Sequence, residues 1–217
     1  MIEGLPEIYC AVQVAIEGDL DKDYVEKSNE NSSLPPGDLI PWTLSTYFLD
    51  SDFPKLKGVR IVRIATHPSA QKLGYGKKTL ELLYNYYQGQ MYDITKLNKE
   101  INNEKISDQD NSKPLLINVA ELNPPENFSY IGTSFGLTYG LYKFWKSSGF
   151  YTTYIKTLKN TTTGEFSCIM LKLIKNENVI LNENTTSLVS NSKFIWLFNF
   201  IVDFTIRLIN LFYYELH

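Results

Sequence analysis

The sequence predicts an α/β (α+β) fold in which helices flank a mixed β-sheet and an apolar helix follows at the C-terminus. β-rich segments and stretches of helical periodicity follow one another in the order β–α–β–α–β–β, which is typical of a sheet covered by helices. The chain has 217 residues, of which 43% are hydrophobic and 14% aromatic. That composition is sufficient for the core of one large domain.

The strand predictions rest on short runs of β-branched and aromatic residues. These runs are Ile8–Glu17, Gly58–Thr66, Pro114–Ala120, Phe150–Leu158 and Phe166–Ile174. The last two flank a Thr-Gly pair, so we expect them to form a hairpin.

The helix predictions rest on periodicity and on end signals. Tyr75–Gln88 repeats apolar residues at i, i+3, i+4 and i+7, and Pro41–Leu49 follows a Pro-Pro-Gly turn. A third helix is expected to begin after Thr138, whose hydroxyl can cap it, and to stop at Gly149.

The C-terminal stretch Phe194–Tyr214 is strongly apolar, but Asp203 and Arg207 interrupt it at the i,i+4 spacing of an ion pair on one helix face. A membrane span needs about 20 predominantly apolar residues. We therefore expect a docking helix and no membrane association, with a membrane anchor as the alternative.

Two polar stretches divide the chain. Residues 93–113 are charged and rich in asparagine, which indicates a surface insertion, and residues 176–193 are rich in Asn and Ser, which indicates a linker. One compact unit, residues 1–175, and a C-terminal segment, residues 194–217, remain.

Composition excludes several classes of protein. The net charge is −3 with a pI near 5.5, which argues against a self-sufficient nucleic-acid binder. Cys10 and Cys168 lie far apart without C-x-x-C spacing, and His67 and His217 are the two histidines. A disulfide framework and a metal site are therefore not expected, and we predict a reduced intracellular protein.

A strand that runs into a glycine loop is the most informative segment. Gly74 and Gly76 lie just after the Gly58–Thr66 strand and at the start of a helix, where free amides form an anion site. Lys77 and Lys78 occupy the first helical turn, where a bound polyphosphate would offset their conflict with the helix dipole.

We also expect a β-bulge within the Gly58–Thr66 strand. Arg60 and Arg63 are three residues apart, so a regular strand would direct them to opposite faces. A bulge between them would leave backbone groups unpaired for a ligand. The loop lacks both the Walker pattern and G-x-G-x-x-G, so those nucleotide sites are excluded. A simple tight turn with a solvated lysine pair remains the alternative.

The pattern Gln71-x-x-Gly74-x-Gly76 resembles the acetyl-CoA pyrophosphate loop of the GNAT N-acetyltransferases, and Phe144–Phe150 resembles their second motif. More narrowly, the chain resembles the RNA cytidine acetyltransferases over about residues 5–174. The matching segments are Gly18 with its preceding Ile-Glu, Gly37–Thr43, Val62–Pro68, Gly74–Gly76, Tyr130–Thr138 and Gly164–Lys172.

This resemblance implies a GNAT-type sheet and an acetyl-CoA site. The cofactor is expected along the backbone of Ile64, Ala65 and Thr66, with the Thr66 amide as the donor to the thioester oxygen. Its pyrophosphate is expected on the amides of Gln71, Lys72, Leu73, Gly74, Tyr75, Gly76 and Lys77. The family often has a basic residue that contacts the cofactor at the position of Ser147, with Lys146 adjacent here.

Catalytic candidates are few. Glu17 ends the first strand and His67 is the internal imidazole, so both are predicted as groups that handle the amine proton. Each has a structural alternative, as a surface carboxylate or as a residue that shapes the strand end. Many GNAT enzymes place a tyrosine acid where this chain has Trp145, which we expect to be core.

The resemblance implies transfer of acetyl from acetyl-CoA to N4 of cytidine in rRNA and tRNA. It further implies that the chain is a fragment of a larger ATP-dependent enzyme, incomplete at the N-terminus of its acetyltransferase domain, with ATP bound outside this fragment. Residues 194–217 would begin an RNA-binding tail and could mediate self-association. A tRNA-adaptor protein and a nuclear, nucleolar location follow from the resemblance alone.

Two alternatives stay open. The first is a protein or small-amine N-acetyltransferase on the same scaffold, which would hold a cationic substrate in an acidic groove. The second is a catalytically silent scaffold that binds acetyl-CoA without turnover.

Overall fold

A computed structural model describes residues 7–30, 37–91, 118–119, 122, 127–174 and 195–215. Its strands are β1 Cys10–Glu17, β2 Gly58–Thr66, β3 Tyr130–Gly136, β4 Tyr151–Ile155 and β5 Ser167–Leu173. Its α-helices are α1 Lys22–Glu30, α2 Leu39–Phe48, α3 Tyr75–Tyr87, α4 Tyr139–Ser147 and α5 Ile195–Glu215. Single-turn 3₁₀ helices cover Phe53–Lys55 and Pro68–Ala70.

The strands form one five-stranded mixed sheet in the order β1-β2-β3-β5-β4. β2 and β3 run parallel, whereas the pairs β1–β2, β3–β5 and β4–β5 are antiparallel. Helices cover both faces, so the predicted fold class is confirmed. The predicted hairpin is confirmed as the β4–β5 pair.

Helices α3 and α4 cover one face of the sheet. Their apolar side chains, including Leu80 and Trp145, pack on Val59, Ile131 and Met170 in what we call the α3–α4 cluster. Trp145 is 3% exposed, so its predicted place in the core is confirmed. The hydroxyl of Thr138 accepts from the Leu141 amide at 3.4 Å, which confirms the predicted cap.

Helices α2 and α5 cover the other face. Ile40 and Leu44 of α2 and Leu197 and Phe200 of α5 pack with Tyr130 in what we call the α2–α5 cluster. Burying each such side chain contributes roughly 1.5–3 kcal/mol. This docking follows from the apolar residues that α5 repeats on one side.

The C-terminal helix docks through aromatic contacts. Phe200 stacks on Phe48 with ring centroids 4.4 Å apart, and Arg207 bonds to Asp203 at 2.7 Å, as its spacing predicts. The 19-residue window Ile195–Tyr213 is long and apolar enough to cross a membrane, and 17% of it is buried. A docking helix and a membrane span share this length and composition, so the absence of a membrane association stays a prediction.

Two elements differ from the sequence predictions. The strand beside β2 is Tyr130–Gly136, whereas the predicted strand Pro114–Ala120 lies outside the described residues except for 118–119. Helix α1 was not predicted, because it is mostly polar and buries Val25 alone among its described side chains. The predicted insertion 93–113 and linker 176–193 also lie outside the described residues.

Candidate functional site

Strands β2 and β3 separate halfway along their length. Their parallel pairing runs from Gly58–Tyr130 to Ile61–Thr133. Beyond that point β2 continues to Thr66 beside β1, and β3 continues to Gly136 beside β5. A gap therefore opens between the carboxyl ends of two parallel strands, where a ligand can reach backbone donors and acceptors.

The predicted β-bulge lies where the two strands separate. Val14 pairs with Ile61 and Gln13 pairs with Arg63, so Val62 is the extra residue. Ile61 and Ile64 both pack in the α3–α4 cluster, which places Arg60 and Arg63 together on the opposite face. The bulge prediction is confirmed, and it explains how one strand directs both arginines to the α2 side.

Beyond the bulge, the backbone of β2 alternates between β1 and the gap. The His67 amide donates to the Tyr9 carbonyl at 2.8 Å, which makes these two residues a hydrogen-bonded pair of the antiparallel ladder. By alternation Ile64 and Thr66 turn their amides and carbonyls toward the gap, whereas Ala65 turns its own toward β1. Thr66 therefore presents an N–H where a thioester oxygen was expected.

The loop after β2 turns through two residues in the left-handed region, Lys72 at φ 63° and Gly74 at φ 93°. The first helical hydrogen bond of α3 runs from the Lys78 amide to the Gly74 carbonyl at 3.0 Å. The amides of Tyr75, Gly76 and Lys77 precede that bond, so they lack partners within the helix. These three amides are part of the predicted anion cradle, and binding of a phosphate by them stays a prediction.

Gly76 lies close to the gap. A Cβ placed there would lie 3.4 Å from Thr66 Oγ1 and 3.5 Å from the ring of Phe144, which are ordinary contact distances. The first turn of α3 therefore packs against the end of β2 and against α4. Of the two lysines in this turn, Lys78 pairs with Glu81 at 2.8 Å, and Lys77 lines a cavity beside α3.

That cavity contains two of the predicted cofactor residues, Lys77 and Ser147. It has a volume of about 330 Å³ and lies between α3 and the C-terminal end of α4. Ser147 and Lys77 line it together, and Ile64–Thr66 and residues 71–77 lie at the end of β2 and in the loop that follows. Each predicted cofactor residue thus belongs to β2, to the loop and first turn of α3 that follow it, or to the wall of this cavity.

Glu17 is buried within the sheet and is 3% exposed. One carboxylate oxygen accepts from Arg60 Nε, and the other accepts from the Ile40 amide at 3.0 Å. This arrangement joins β1 and β2 to the first turn of α2. A catalytic role for Glu17 stays a prediction.

His67 is exposed and caps the short helix Pro68–Ala70. Its Nδ1 accepts from the Ser69 amide at 3.3 Å and lies 2.7 Å from the Ser69 hydroxyl. A catalytic role for His67 also stays a prediction. Among the described residues, no group of three or more His, Cys, Asp or Glu is arranged to hold a metal ion.

Lys172 on β5 lines the cavity but was not predicted from the sequence as a site residue. Its Nζ donates to the Ser148 carbonyl at 3.1 Å and lies 3.8 Å from the ring centroid of Tyr84. Burial lowers the pKa of this lysine. The sequence signal that could have found it is a lone cation within the apolar run Cys168–Leu173, a place where lysine is rare unless it has a partner.

The geometry therefore combines an anion cradle, a gap between strands with inward amides, and an adjoining cavity with two lysines. Such a site can bind a long ligand that carries a polyphosphate and can donate a hydrogen bond to a developing oxyanion.

Comparison with known proteins agrees with this geometry. Residues 1–175 match the family described as GNAT acetyltransferase 2. The chain is 41% identical to the RNA cytidine acetyltransferase of Dictyostelium discoideum, over 98% of this chain and 22% of that protein. It is 34% identical to that of Saccharomyces cerevisiae, over 98% of this chain and 20% of the relative. It is 38% identical to that of Homo sapiens, over 81% of this chain and 18% of the relative. The chain thus spans about a fifth of the length of these curated relatives, and it belongs to the GNAT acetyltransferase 2 family.

Proposed function

We propose that this chain is the acetyltransferase domain of an RNA cytidine acetyltransferase, which transfers acetyl from acetyl-CoA to N4 of cytidine. The observation that carries the proposal is the separation of β2 from β3 directly beside the free amides that begin α3. The names of the relatives support RNA cytidine as the acceptor.

In this proposal each part of the site has one task. The amides of Tyr75, Gly76 and Lys77 bind the pyrophosphate, and the backbone of Ile64 and Thr66 hydrogen-bonds the extended arm of the cofactor. Acetyl-CoA supplies an activated thioester. The Thr66 amide donates to the thioester oxygen as negative charge develops on it, a contact that strengthens in the transition state.

Proton balance is simple for this acceptor. The exocyclic amine of cytidine is neutral at pH 7, so the enzyme need not deprotonate it before attack. The amine loses one proton after the C–N bond forms, and the departing CoA thiolate gains one. Glu17 and His67 are the described residues that we consider for this transfer, and the buried ion pair of Glu17 favours a positioning role for that residue.

Further assignments rest on the family resemblance. We propose that the whole enzyme modifies rRNA and tRNA, uses ATP bound outside this chain, works with a tRNA-adaptor protein and resides in the nucleus and nucleolus. Residues 194–217 would begin an RNA-binding tail. The net charge of −3 on this chain is consistent with most RNA affinity residing elsewhere.

We further propose that α5 mediates self-association with a second copy. Its exposed side carries apolar residues at the a and d positions of a heptad, with Thr205 at the one such position that is polar: Ile195, Phe198, Val202, Ile209 and Phe212. That spacing is typical of a helix–helix seam. Phe198→Lys with Ile209→Lys should lower the mass measured by light scattering to that of a monomer, and an unchanged mass would contradict the proposal.

The acceptor is tested on the full-length enzyme with ATP, by offering two substrates with labelled acetyl-CoA: a single-stranded RNA that contains cytidine and a lysine-containing peptide. We expect N4-acetylcytidine in the nucleoside digest and no labelled peptide. Gly76→Glu serves as the inactive control. Labelled peptide without labelled RNA would favour a protein acetyltransferase, and acetyl-CoA binding without product on either would favour a silent scaffold.

A further inference from the structure

The cavity between α3 and α4 has features beyond those that the transfer reaction requires. At about 330 Å³ it lies at the lower end of the volumes found for small-ligand pockets, roughly 300–1,000 Å³. The aromatic residues Tyr84 and Phe150 line it, together with the hydroxyl-bearing residues Ser147 and Ser148. The mixture suits a ligand with one flat face and several polar groups.

The cavity carries excess positive charge. Lys77 and Lys172 both line it, and its one carboxylate, Glu81, pairs with Lys78 at 2.8 Å. Within the part of the chain that the structure describes, Lys172 contacts the Ser148 carbonyl and the Tyr84 ring but no carboxylate. An ammonium has three N–H donors, so Lys172 can still donate to a ligand.

The neighbouring cation on α4 points elsewhere. Lys146 precedes Ser147 in the chain, but its Nζ lies 5.6 Å from the ring centroid of Tyr142 and it does not line the cavity. A positive charge for a ligand beside Ser147 must therefore come from β5 or α3. Burial lowers the pKa of Lys172, and an anion in the cavity would offset that cost of desolvation.

The cavity also adjoins the anion cradle. Lys77 contributes its amide to the cradle and is also one of the residues that line the cavity. A cofactor whose pyrophosphate lies on the cradle can therefore extend into this space without leaving the surface of α3.

We propose that this cavity binds the 3′-phosphorylated adenosine end of CoA and that Lys172 is the cation that contacts its 3′-phosphate. This inference rests on the proposed function, because it assumes that CoA binds at the cradle. Tyr84 and Phe150 then provide apolar surface for the adenine, and Lys77 adds a second charge beside the phosphates.

Titration calorimetry with CoA and with 3′-dephospho-CoA tests the assignment. The wild-type chain should bind CoA about tenfold more tightly, which is the effect of one charge-assisted hydrogen bond. Lys172→Gln should reduce this preference to less than about twofold, whereas the matched control Lys146→Gln should retain it. Because Lys172 also holds the end of α4, retained binding of 3′-dephospho-CoA serves as the folding control.

A second variant covers the case in which Lys172→Gln does not fold. Ser147→Asp leaves Lys172 in place and adds a carboxylate to the cavity wall, and it should also abolish the preference. If a folded Lys172→Gln or Ser147→Asp kept the whole preference for CoA over 3′-dephospho-CoA, the assignment would be overturned. Equal affinity of the wild type for CoA and 3′-dephospho-CoA would also overturn it. Binding of neither ligand to the wild type would instead overturn the cofactor site on which the proposal rests.

Discussion

The Nε of Arg60 donates to the carboxylate of Glu17 within the sheet, beside the point where β2 and β3 separate. The second oxygen of Glu17 accepts from the Ile40 amide at 3.0 Å. One buried carboxylate thus ties β1, β2 and the start of α2 together. Because breaking such a pair leaves an uncompensated buried charge, Glu17 should matter first for the stability of this end of the sheet.

Glu17→Gln should lower the free energy of unfolding by about 2–3 kcal/mol, because Arg60 loses its counter-charge in a site where little water reaches it. Urea denaturation followed by circular dichroism measures this change. The matched control is Asp19→Asn, whose carboxylate is 72% exposed and 3.9 Å from Lys57. That variant should lose less than about 0.5 kcal/mol. Equal losses in the two variants would contradict the structural role of Glu17.

His67→Asn should retain most of the acetyl-transfer rate. Asparagine can still accept from the Ser69 amide and cap the short helix that follows. In the wild type Nδ1 contacts both the Ser69 amide and the Ser69 hydroxyl, so this nitrogen is occupied by the cap. Single-turnover transfer to RNA should change less than about threefold. A loss of 100-fold or more would be the size expected for a general base and would establish His67 in that role.

The preference for the 3′-phosphate should weaken with rising pH. Only protonated Lys172 attracts the phosphate, and burial lowers its pKa from the ordinary value of 10.5. The loss of this preference should therefore begin at a lower pH than the range in which an exposed lysine titrates. Lys77, Glu81 and Tyr84 also face the cavity, so the comparison needs a variant at Lys172 itself. Lys172→Arg keeps its charge throughout and should show a flat preference between about pH 7 and pH 10. A parallel decline in both proteins would contradict the assignment.

Local sequence signals sufficed for the part of the site that β2 provides. The run Gly58–Thr66 is apolar and β-branched, and it ends where His67-Pro68 prevents continuation. The spacing of Arg60 and Arg63 predicted the bulge that Val62 forms. The glycines before the amphipathic helix α3 predicted the turn at Gly74, after which three amides precede the first helical hydrogen bond. Each of these features depends on residues close together in the chain.

Features that depend on distant residues were harder to predict. β3 contains Gly132 and Gly136, which weaken its strand signal, and it is a strand because β2 and β5 pair with it. Glu17 and Arg60 are 43 residues apart, and Ser147 and Lys172 line the same cavity only because α4 packs on the sheet. α1 did carry a local signal, since the carboxylate of Asp21 accepts from the Asp23 amide at 2.9 Å in the manner of an N-cap.

Acetyl-CoA should bind to this chain through the amides at the start of α3, and we would first measure its binding to two Gly76 variants by calorimetry. Glu is favourable in the first turn of a helix, and a Cβ at Gly76 meets its neighbours at 3.4 Å or more, so both Gly76→Ala and Gly76→Glu should fold. The wild type should bind acetyl-CoA saturably, and the affinity of Gly76→Ala should lie within about tenfold of the wild-type affinity. Gly76→Glu should bind acetyl-CoA at least about 100-fold more weakly, because its carboxylate repels the pyrophosphate. Equal affinity in Gly76→Glu and the wild type would show that acetyl-CoA does not bind at these amides.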